Sequence, residues 1–322
     1  KRNTETMIIV TGGAGFIGGN LVRGLNSAGH ADILVVDDLS DGRKYQNLVQ
    51  GRISDYWDIE QLRLFIEKNQ TFKPEVSALF HQGACTVTTE WDGRFMMQNN
   101  YEYSKLLLHY CLQRHIPFIY ASSGSVYGIG RKFREIHDNE APVNVYGYSK
   151  YLFDVYVRKI LIDAESQVAG LRYFNVYGPG EGHKKSMASV VYHFNEQILS
   201  SGCIKLFCGS DGFMDGEQRR DFIHVDDVVA INLWFLEHRD RSGIFNVGTG
   251  ISRSFNDVAR LVIQWHGRGE LQYIEFPESL RDSYQSLTEA DISNLRNAGY
   301  QREFVSLENG VNRYLDWLNR KQ

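Results

Sequence analysis

Cysteine is scarce in this chain, and the four present, Cys85, Cys111, Cys203 and Cys208, form no CxxC pair and no metal-ligand spacing with histidine. That excludes a disulfide scaffold and gives no zinc motif, and it fits a reducing compartment. Charge of one sign is also lacking: 35 basic against 39 acidic residues leave a net charge of −4. A nucleic-acid binder normally concentrates positive charge on one face, so partners are expected to be small molecules or further subunits. Long apolar runs are absent. A stretch such as VVAINLWFL at 228–236 is far short of the roughly 20 residues that a bilayer span requires, so no membrane partner is expected. No internal repeat or low-complexity segment appears, which sets solenoids and propellers aside. The leading KRNTET has no apolar core of a secretory signal. Residues 1–6 therefore read as extraneous to a natural start at Met7, and the expected location is cytoplasmic.

What is present is an ordinary globular composition, 43% hydrophobic over 322 residues, enough for one large domain or two lobes. Strand-length apolar runs alternate with helical patterns through the first half. MIIV (7–10), DILVVD (32–37), SALFH (77–81), IPFIYAS (116–122) and QVAGLRYF (167–174) are separated by helical patterns from Phe16 and near 59–68, 95–114 and 145–160. Continuous apolar strands separated by helices predict a parallel sheet covered on both faces, a doubly wound α/β Rossmann fold. After residue 174 the rhythm breaks into scattered pieces, which predicts a smaller α/β lobe. The expected division is a dinucleotide-binding domain over 7–173 with returning segments near 221–248 and 286–300. The substrate lobe then takes 174–220, 249–285 and 301–322.

The first predicted strand runs into TGGAGFIGG. Gly12, Gly13, Gly15 and Gly18 satisfy GxGxxG and GxxGxxG together. Glycines here allow a tight strand-to-helix turn and close backbone approach to a pyrophosphate. Asp37 follows at the end of the second strand, where a carboxylate accepts from a ribose hydroxyl; Asp38 adds a second. Arg43 and Lys44 instead suit a 2′-phosphate. Both NAD and NADP remain open at this level.

Downstream, IPFIYAS leads into Ser122 and Ser123, and NVYGYSK places Tyr146 four residues before Lys150, on one face of a predicted helix. A phenol is a poor base at neutral pH, but a neighbouring ammonium and a nicotinamide cation favour its phenolate. Tyr146 can then take a proton from a substrate hydroxyl as hydride leaves the same carbon. Ser123 would hydrogen-bond the reacting oxygen, and Lys150 would also reach the nicotinamide ribose. Tyr148, in the same segment, reads as a packing aromatic.

TGGAGFIGG, the serine pair and YGYSK together resemble the extended short-chain dehydrogenase/reductase superfamily. ACTVTTEWDGRFMMQNNYEYSKLLLHYC, NVYGYSKYLFD and RYFNVYGPGEGHKKSMASVVYHFN are similar, more narrowly, to the ADP-L-glycero-D-manno-heptose 6-epimerase family. The likeness extends from Met7 almost to the C-terminus. It implies bound NADP, oxidation of the sugar at C6 to a ketone, return of the hydride to the other face, and a homo-oligomer, a pentamer in relatives. It places this step in the supply of activated heptose for a lipopolysaccharide core. It also implies two proton-transfer groups, Tyr146 and, in GEGHKKSM, Lys184. By the same resemblance Gly12, Gly15, Phe16, Ile17, Gly18, Asp37, Asp38, Lys44, Gln82, Gly83, Ala84, Cys85, Thr86, Asn99, Tyr146, Lys150, Val176 and Lys184 match cofactor positions. Asn175, Ser186, His193, Phe207, Cys208, Gly209, Ser210, Arg220 and Tyr284 match substrate positions, with the arginine fork suited to a diphosphate. Phe207 and Tyr284 serve equally as core aromatics, and His193 as a structural histidine.

The chain departs from the family at Asp38, where asparagine is common, and at Ile59, where lysine is common, which weakens the case for NADP over NAD. Gly180 stands where arginine is usual and Lys185 where glycine is usual. The insertion DGFMDGEQ at 211–218 leaves open whether Arg219 or Arg220 faces the diphosphate. Other readings are a UDP-hexose 4-epimerase or a sugar 4,6-dehydratase of the same superfamily, and a dinucleotide-binding sensor without turnover. Gly124 and Ser125 supply no acidic pair for dehydration, a 4-epimerase leaves Lys184 without a task, and the tyrosine and lysine that a silent sensor would lose are both present.

Overall fold

The computed structural model describes residues 6–278 and 284–320; of the residues read as extraneous, all but Thr6 lie outside these. The strands are β1 (Thr6–Thr11), β2 (Ile33–Asp37), β3 (Asp55–Asp58), β4 (Glu75–His81), β5 (Phe118–Ser123), β6 (Val168–Tyr173), β7 (Asn175–Tyr177), β8 (Cys203–Phe207), β9 (Arg219–His224), β10 (Gly243–Val247), β11 (Ser252–Ser254) and β12 (Glu270–Ile274). The helices are α1 (Phe16–Ser27), α2 (Tyr45–Val49), α3 (Ile59–Glu67), α4 (Gly93–Met97), α5 (Tyr103–Gln113), α6 (Val145–Ile160), α7 (Val190–Ser201), α8 (Val225–Glu237), α9 (Phe255–His266), α10 (Ser293–Ala298) and α11 (Leu307–Leu318). The helix expected over 95–114 is α4 and α5 joined by a π-helical turn at Gln98–Glu102.

The large sheet has the order β10-β6-β5-β4-β1-β2-β3. β1 pairs in parallel with β2 and β4, β2 with β3, and β4 with β5. The doubly wound expectation therefore holds, and the order reverses beside β1, where such sheets bind ligands. β2 and β5 are buried along their whole length, as strands covered on both faces must be. Ile9, Leu34, Val36, Leu79, Phe118 and Tyr120 anchor the core on one side.

The chain divides into two compact units. One takes the chain up to Ser123 with Asn144–Arg172 and Val229–Phe245; the other takes Gly124–Val143, Tyr173–Val228 and the chain from Asn246 onward. These units depart from the expected boundaries: of the expected returning segment 221–248, residues 221–228 and 246–248 fall in the second unit, and two further stretches do so as well. Residues 124–143 join the second unit, because Tyr127 donates to Asn246 Oδ1 at 2.7 Å and Phe133 packs on Phe174. Residues 286–300 stay there too, since Arg219 N donates to Ser286 O and Thr288 N to Arg219 O. The second unit holds the strand set β11-β9-β7 and the parallel pair β12-β8. Its core includes Tyr177, Val191, Phe194, Phe222, Val258 and Tyr314.

Candidate active site

In the first unit β1 ends at Thr11 and turns through Gly12, whose φ is +68°. A Cβ on Gly12 would lie 2.4 Å from Gly83 N, and one on Gly18 would lie 2.1 Å from Gly12 O. Side chains are excluded at both positions, so the backbone forms a bare cradle at the start of α1. Ala14 N donates to Asp37 Oδ2 at 2.8 Å and Asn47 Nδ2 to Ala14 O at 3.0 Å, fixing the turn from two sides. Phe16 is buried and Ile17 half-buried in the first turn of α1.

Asp37 is buried, and its other oxygen accepts from Lys44 Nζ at 2.7 Å. Lys44 also donates to the Asp38 carbonyl. Asp38 is exposed, and its carboxyl is held below the usual range chiefly by the hydrogen bond from the Ser40 backbone. Arg43 is engaged with Asp41 through Nε at 2.8 Å and Nη2 at 2.5 Å. Lys44 is thus the basic residue drawn to the end of β2, while Arg43 is turned to its own loop.

The loop Gln82–Thr86 follows β4. Gln82 N donates to Thr11 O, and the Gln82 side chain donates to Asn232 Oδ1 at 3.2 Å. Asn100, absent from the expected set, bonds Cys85 through both amide atoms: Cys85 N donates to Oδ1 at 2.8 Å, and Nδ2 donates to Cys85 O at 2.9 Å. The same Nδ2 reaches Ser149 Oγ at 3.1 Å, tying the loop to α6. Ala84 is half-buried, Thr86 is exposed, and Asn99 spends its amide on Phe95 O.

Asn144 caps α6, accepting from Gly147 N at 2.7 Å, and so sets Tyr146 in the first turn. The Tyr146 phenol is held above its ordinary pKa by burial, opposed by its hydrogen bond with Ser123. Lys150 Nζ donates to Ala121 O at 2.8 Å. Burial lowers its pKa to about 8, and the charge of Asp154 opposes that fall. The structure therefore brings Ser123, Tyr146 and Lys150 together, with the lysine directed to the end of β5. Tyr148 is not a core residue: it is 44% exposed and leans on Tyr151.

In the second unit Lys184 sits in a 3-10 turn over Gly182–Met187, its N–H donating to Glu181 O at 2.9 Å. Glu181 is fully buried and accepts from Ser189 N and Oγ, each at 2.6 Å. Burial raises the Glu181 carboxyl and lowers the Lys184 ammonium, and each charge partly restores the other. Lys185 has φ +52° and ψ −123°, which accounts for glycine at this position in the family's pattern. Ser186 is exposed, and its carbonyl lies 3.4 Å from His193 Nε2. Val176 pairs with Ile223 in register, and Asn175 is exposed beside Thr288.

Phe207, Tyr284 and Phe255 line a cavity of about 100 Å³ together with Val190, Phe194 and Gln218. Phe207 and Tyr284 meet edge to face at 6.2 Å. The Arg220 guanidinium is buried, 4.9 Å from the Tyr284 ring centroid and 5.4 Å from that of Phe255. Arg219 instead spends Nε and Nη2 on Ser252 at 3.2 and 2.6 Å. Consecutive side chains of β9 point to opposite faces, which separates the two arginines. Cys208 and Ser210 hold the Gln218 amide, and Gly209 N donates to Asp215. The insertion thus folds back onto the end of β8.

The chain matches the NAD dependent epimerase/dehydratase family over residues 8–248. It is 56% identical over 310 residues, 96% of its length and 97% of the relative's, to ADP-L-glycero-D-manno-heptose-6-epimerase of Alkalilimnicola ehrlichii. Among solved structures, the enzyme of that name from Helicobacter pylori superposes with a TM-score of 0.84 at 30% identity, covering 99% of this chain and 98% of the other. UDP-glucose 4-epimerase of Thermus thermophilus, solved with NAD, gives 0.78 at 27% identity, with 97% and 98% covered. The chain belongs to the NAD dependent epimerase/dehydratase family and, within it, to the ADP-L-glycero-D-manno-heptose-6-epimerases.

Proposed function

We propose that this protein inverts C6 of an ADP-activated manno-heptose by transient oxidation to a 6-keto sugar and re-reduction, using a tightly bound NADP. The observation that carries the reading is the set of Ser123, Tyr146 and Lys150 at the end of β5, with Ser123 and Lys150 buried and Tyr146 half-buried. The relative at 56% identity bears the name of this activity.

The glycine cradle fits a dinucleotide: the start of α1 offers backbone N–H groups where any Cβ would collide. Gly12, Gly15, Phe16, Ile17 and Gly18 would hold its phosphates, the Gln82–Thr86 loop and Asn99 would flank it, and Val176 and Lys184 complete the expected set. Lys44 neutralises Asp37, which favours a 2′-phosphate at the end of β2; NAD is the alternative there. The bound dinucleotide supplies a hydride acceptor that becomes the donor within one turnover.

Inversion needs a proton-transfer group for each configuration of C6. Tyr146 carries one of these tasks and Lys184 the other. Hydrogen bonding from Ser123 steadies the oxygen that Tyr146 serves. Lys184, whose pKa burial lowers, is nearer the neutral range in which a group can both give and take a proton. The aromatic cavity beside Arg220 accommodates the nucleotide end: Phe207 and Tyr284 offer faces for a base, and Arg220 a fork for the diphosphate. Asn175, Ser186, His193, Cys208, Gly209 and Ser210 complete the substrate set, and a homo-oligomer is the expected assembly.

Substrate carrying deuterium at C6 tests the chemistry. Oxidation and re-reduction by one bound cofactor returns the label to C6 in both epimers. Loss of the label to water would mean proton abstraction from carbon instead. Mass analysis of the dinucleotide released on denaturation is expected to give NADP.

A further inference from the structure

Asp154 lies on α6 four residues after Lys150 and eight after Tyr146, so the three share one helix face. Its carboxylate is completely buried. It accepts from Tyr120 Oη at 2.8 Å, Ser122 Oγ at 2.8 Å and Arg172 Nε at 2.8 Å. Three consecutive residues of β5 are thereby fastened to three turns of α6: Ala121 O to Lys150, Ser122 to Asp154, and Ser123 to Tyr146.

A buried ion pair contributes little to stability over a well-packed apolar pair of the same volume, so holding the fold is a weak reason for Asp154 to be charged. The groups around Lys150 give a better one. On its own helix are Asp154 and the neutral phenol of Tyr146. From β6 comes Arg172, a cation already paired with Asp154. From β5 comes the phenol of Tyr120, which burial keeps un-ionised. From β4 comes His81, which burial and Lys150 hold neutral, at about 3. Among these described groups Asp154 is the anion that faces the lysine.

We propose that Asp154 is a positioning residue for the reaction: its carboxylate keeps Lys150 as the ammonium ion and locks the end of β5, with Ser123, against Tyr146. Arg172 moderates that charge, so the phenol, cation and anion in line along α6 end on a cation supplied by β6. This rests on the reading that Lys150 assists Tyr146.

The test uses the full chain with its dinucleotide, with Lys150 titrated by NMR of isotope-labelled lysine side chains and its signal assigned from Lys150→Arg. The midpoint, about 8 in the native protein, is expected to fall by about one pH unit in Asp154→Asn. The alkaline limb of kcat moves with it, a loss of about fivefold at pH 8 that approaches tenfold above pH 9, with a smaller change in KM. In Arg172→Met the midpoint moves the opposite way, because Asp154 is no longer neutralised, and Asp154→Glu restores the native profile. If Asp154→Asn does not fold, the Arg172→Met and Asp154→Glu arms still decide. A midpoint unmoved by Asp154→Asn, or moved in the same direction by Asp154→Asn and Arg172→Met, would overturn the proposal. Undiminished turnover in Lys150→Met would instead sink the reading beneath it, whatever Asp154 does.

Discussion

Tyr146 meets two opposing influences: burial raises its pKa, and the Ser123 hydrogen bond lowers it. Replacing Tyr146 with phenylalanine keeps the ring and removes the proton, so kcat is expected to fall by about 10²–10⁴-fold, with the dinucleotide still bound by absorbance and mass. Retained turnover would assign the chemistry to another group. The neighbouring lysines of the glycine-rich loop separate on structural grounds. Lys184 is half-buried near the carboxylate of Glu181, whereas Lys185 is exposed. Lys184→Met is expected to cripple epimerisation with dinucleotide retained, and Lys185→Met to do much less. Equal losses would mean that the loop acts through bulk positive charge. At this scale Tyr146 and Lys150 were legible in the sequence because they stand four residues apart on one helix, and Ser123 because it closes an apolar strand run. Glu181, Asn100 and Asp154 were not. Each is a buried polar residue whose partners are set by the fold, and nothing in its own segment marks it as buried.

Among the elements, the loop carrying Lys184 stores strain. Lys185 occupies a left-handed conformation that disfavours any residue with a Cβ. Lys185→Gly is expected to stabilise the protein by about 1 kcal/mol, read as a rise in the chemical-denaturation midpoint. No rise would mean that the turn relaxes without cost. Asn100, in the π-helical turn, ties the Gln82–Thr86 loop to α6 by three hydrogen bonds. Asn100→Ala strands Cys85 N and O and is expected to cost about 1–3 kcal/mol. Dinucleotide affinity is expected to fall with it, measured by retention through dialysis. β1, β2, β4, β5 and β6 of the large sheet were readable because each is a continuous apolar run beside a helix, whereas β3, DYWD with an aspartate at each end, carries no such signal and was missed. The second unit was harder. β7 and β11 have three residues each, too few for a periodicity, and β8 finds β12 only after 62 intervening residues, from Phe207 to Glu270.

The molecule as a whole is two units woven from alternating stretches of one chain. The expected division fell at 173, and the first compact unit leaves the chain after Arg172. What composition could not show is that 124–143 leaves the dinucleotide unit in mid-sequence, a consequence of the contacts of Tyr127 and Phe133. Burial of Lys150 also has a global signature. Its folded pKa, about 8, lies below the ordinary 10.5, so between those values the unfolded chain binds the extra proton. Its contribution to stability therefore rises with pH from about 8 to 10.5. Lys150→Met is expected to flatten that part of the stability profile, and an unchanged slope would place the lysine in water. The central claim, C6 epimerisation by a resident dinucleotide, is tested most directly by incubating the purified protein, with no added cofactor, with each C6 epimer of ADP-manno-heptose. The account predicts that both converge on one ratio; no interconversion from either side, with UDP-glucose and UDP-galactose interconverted instead, would contradict it.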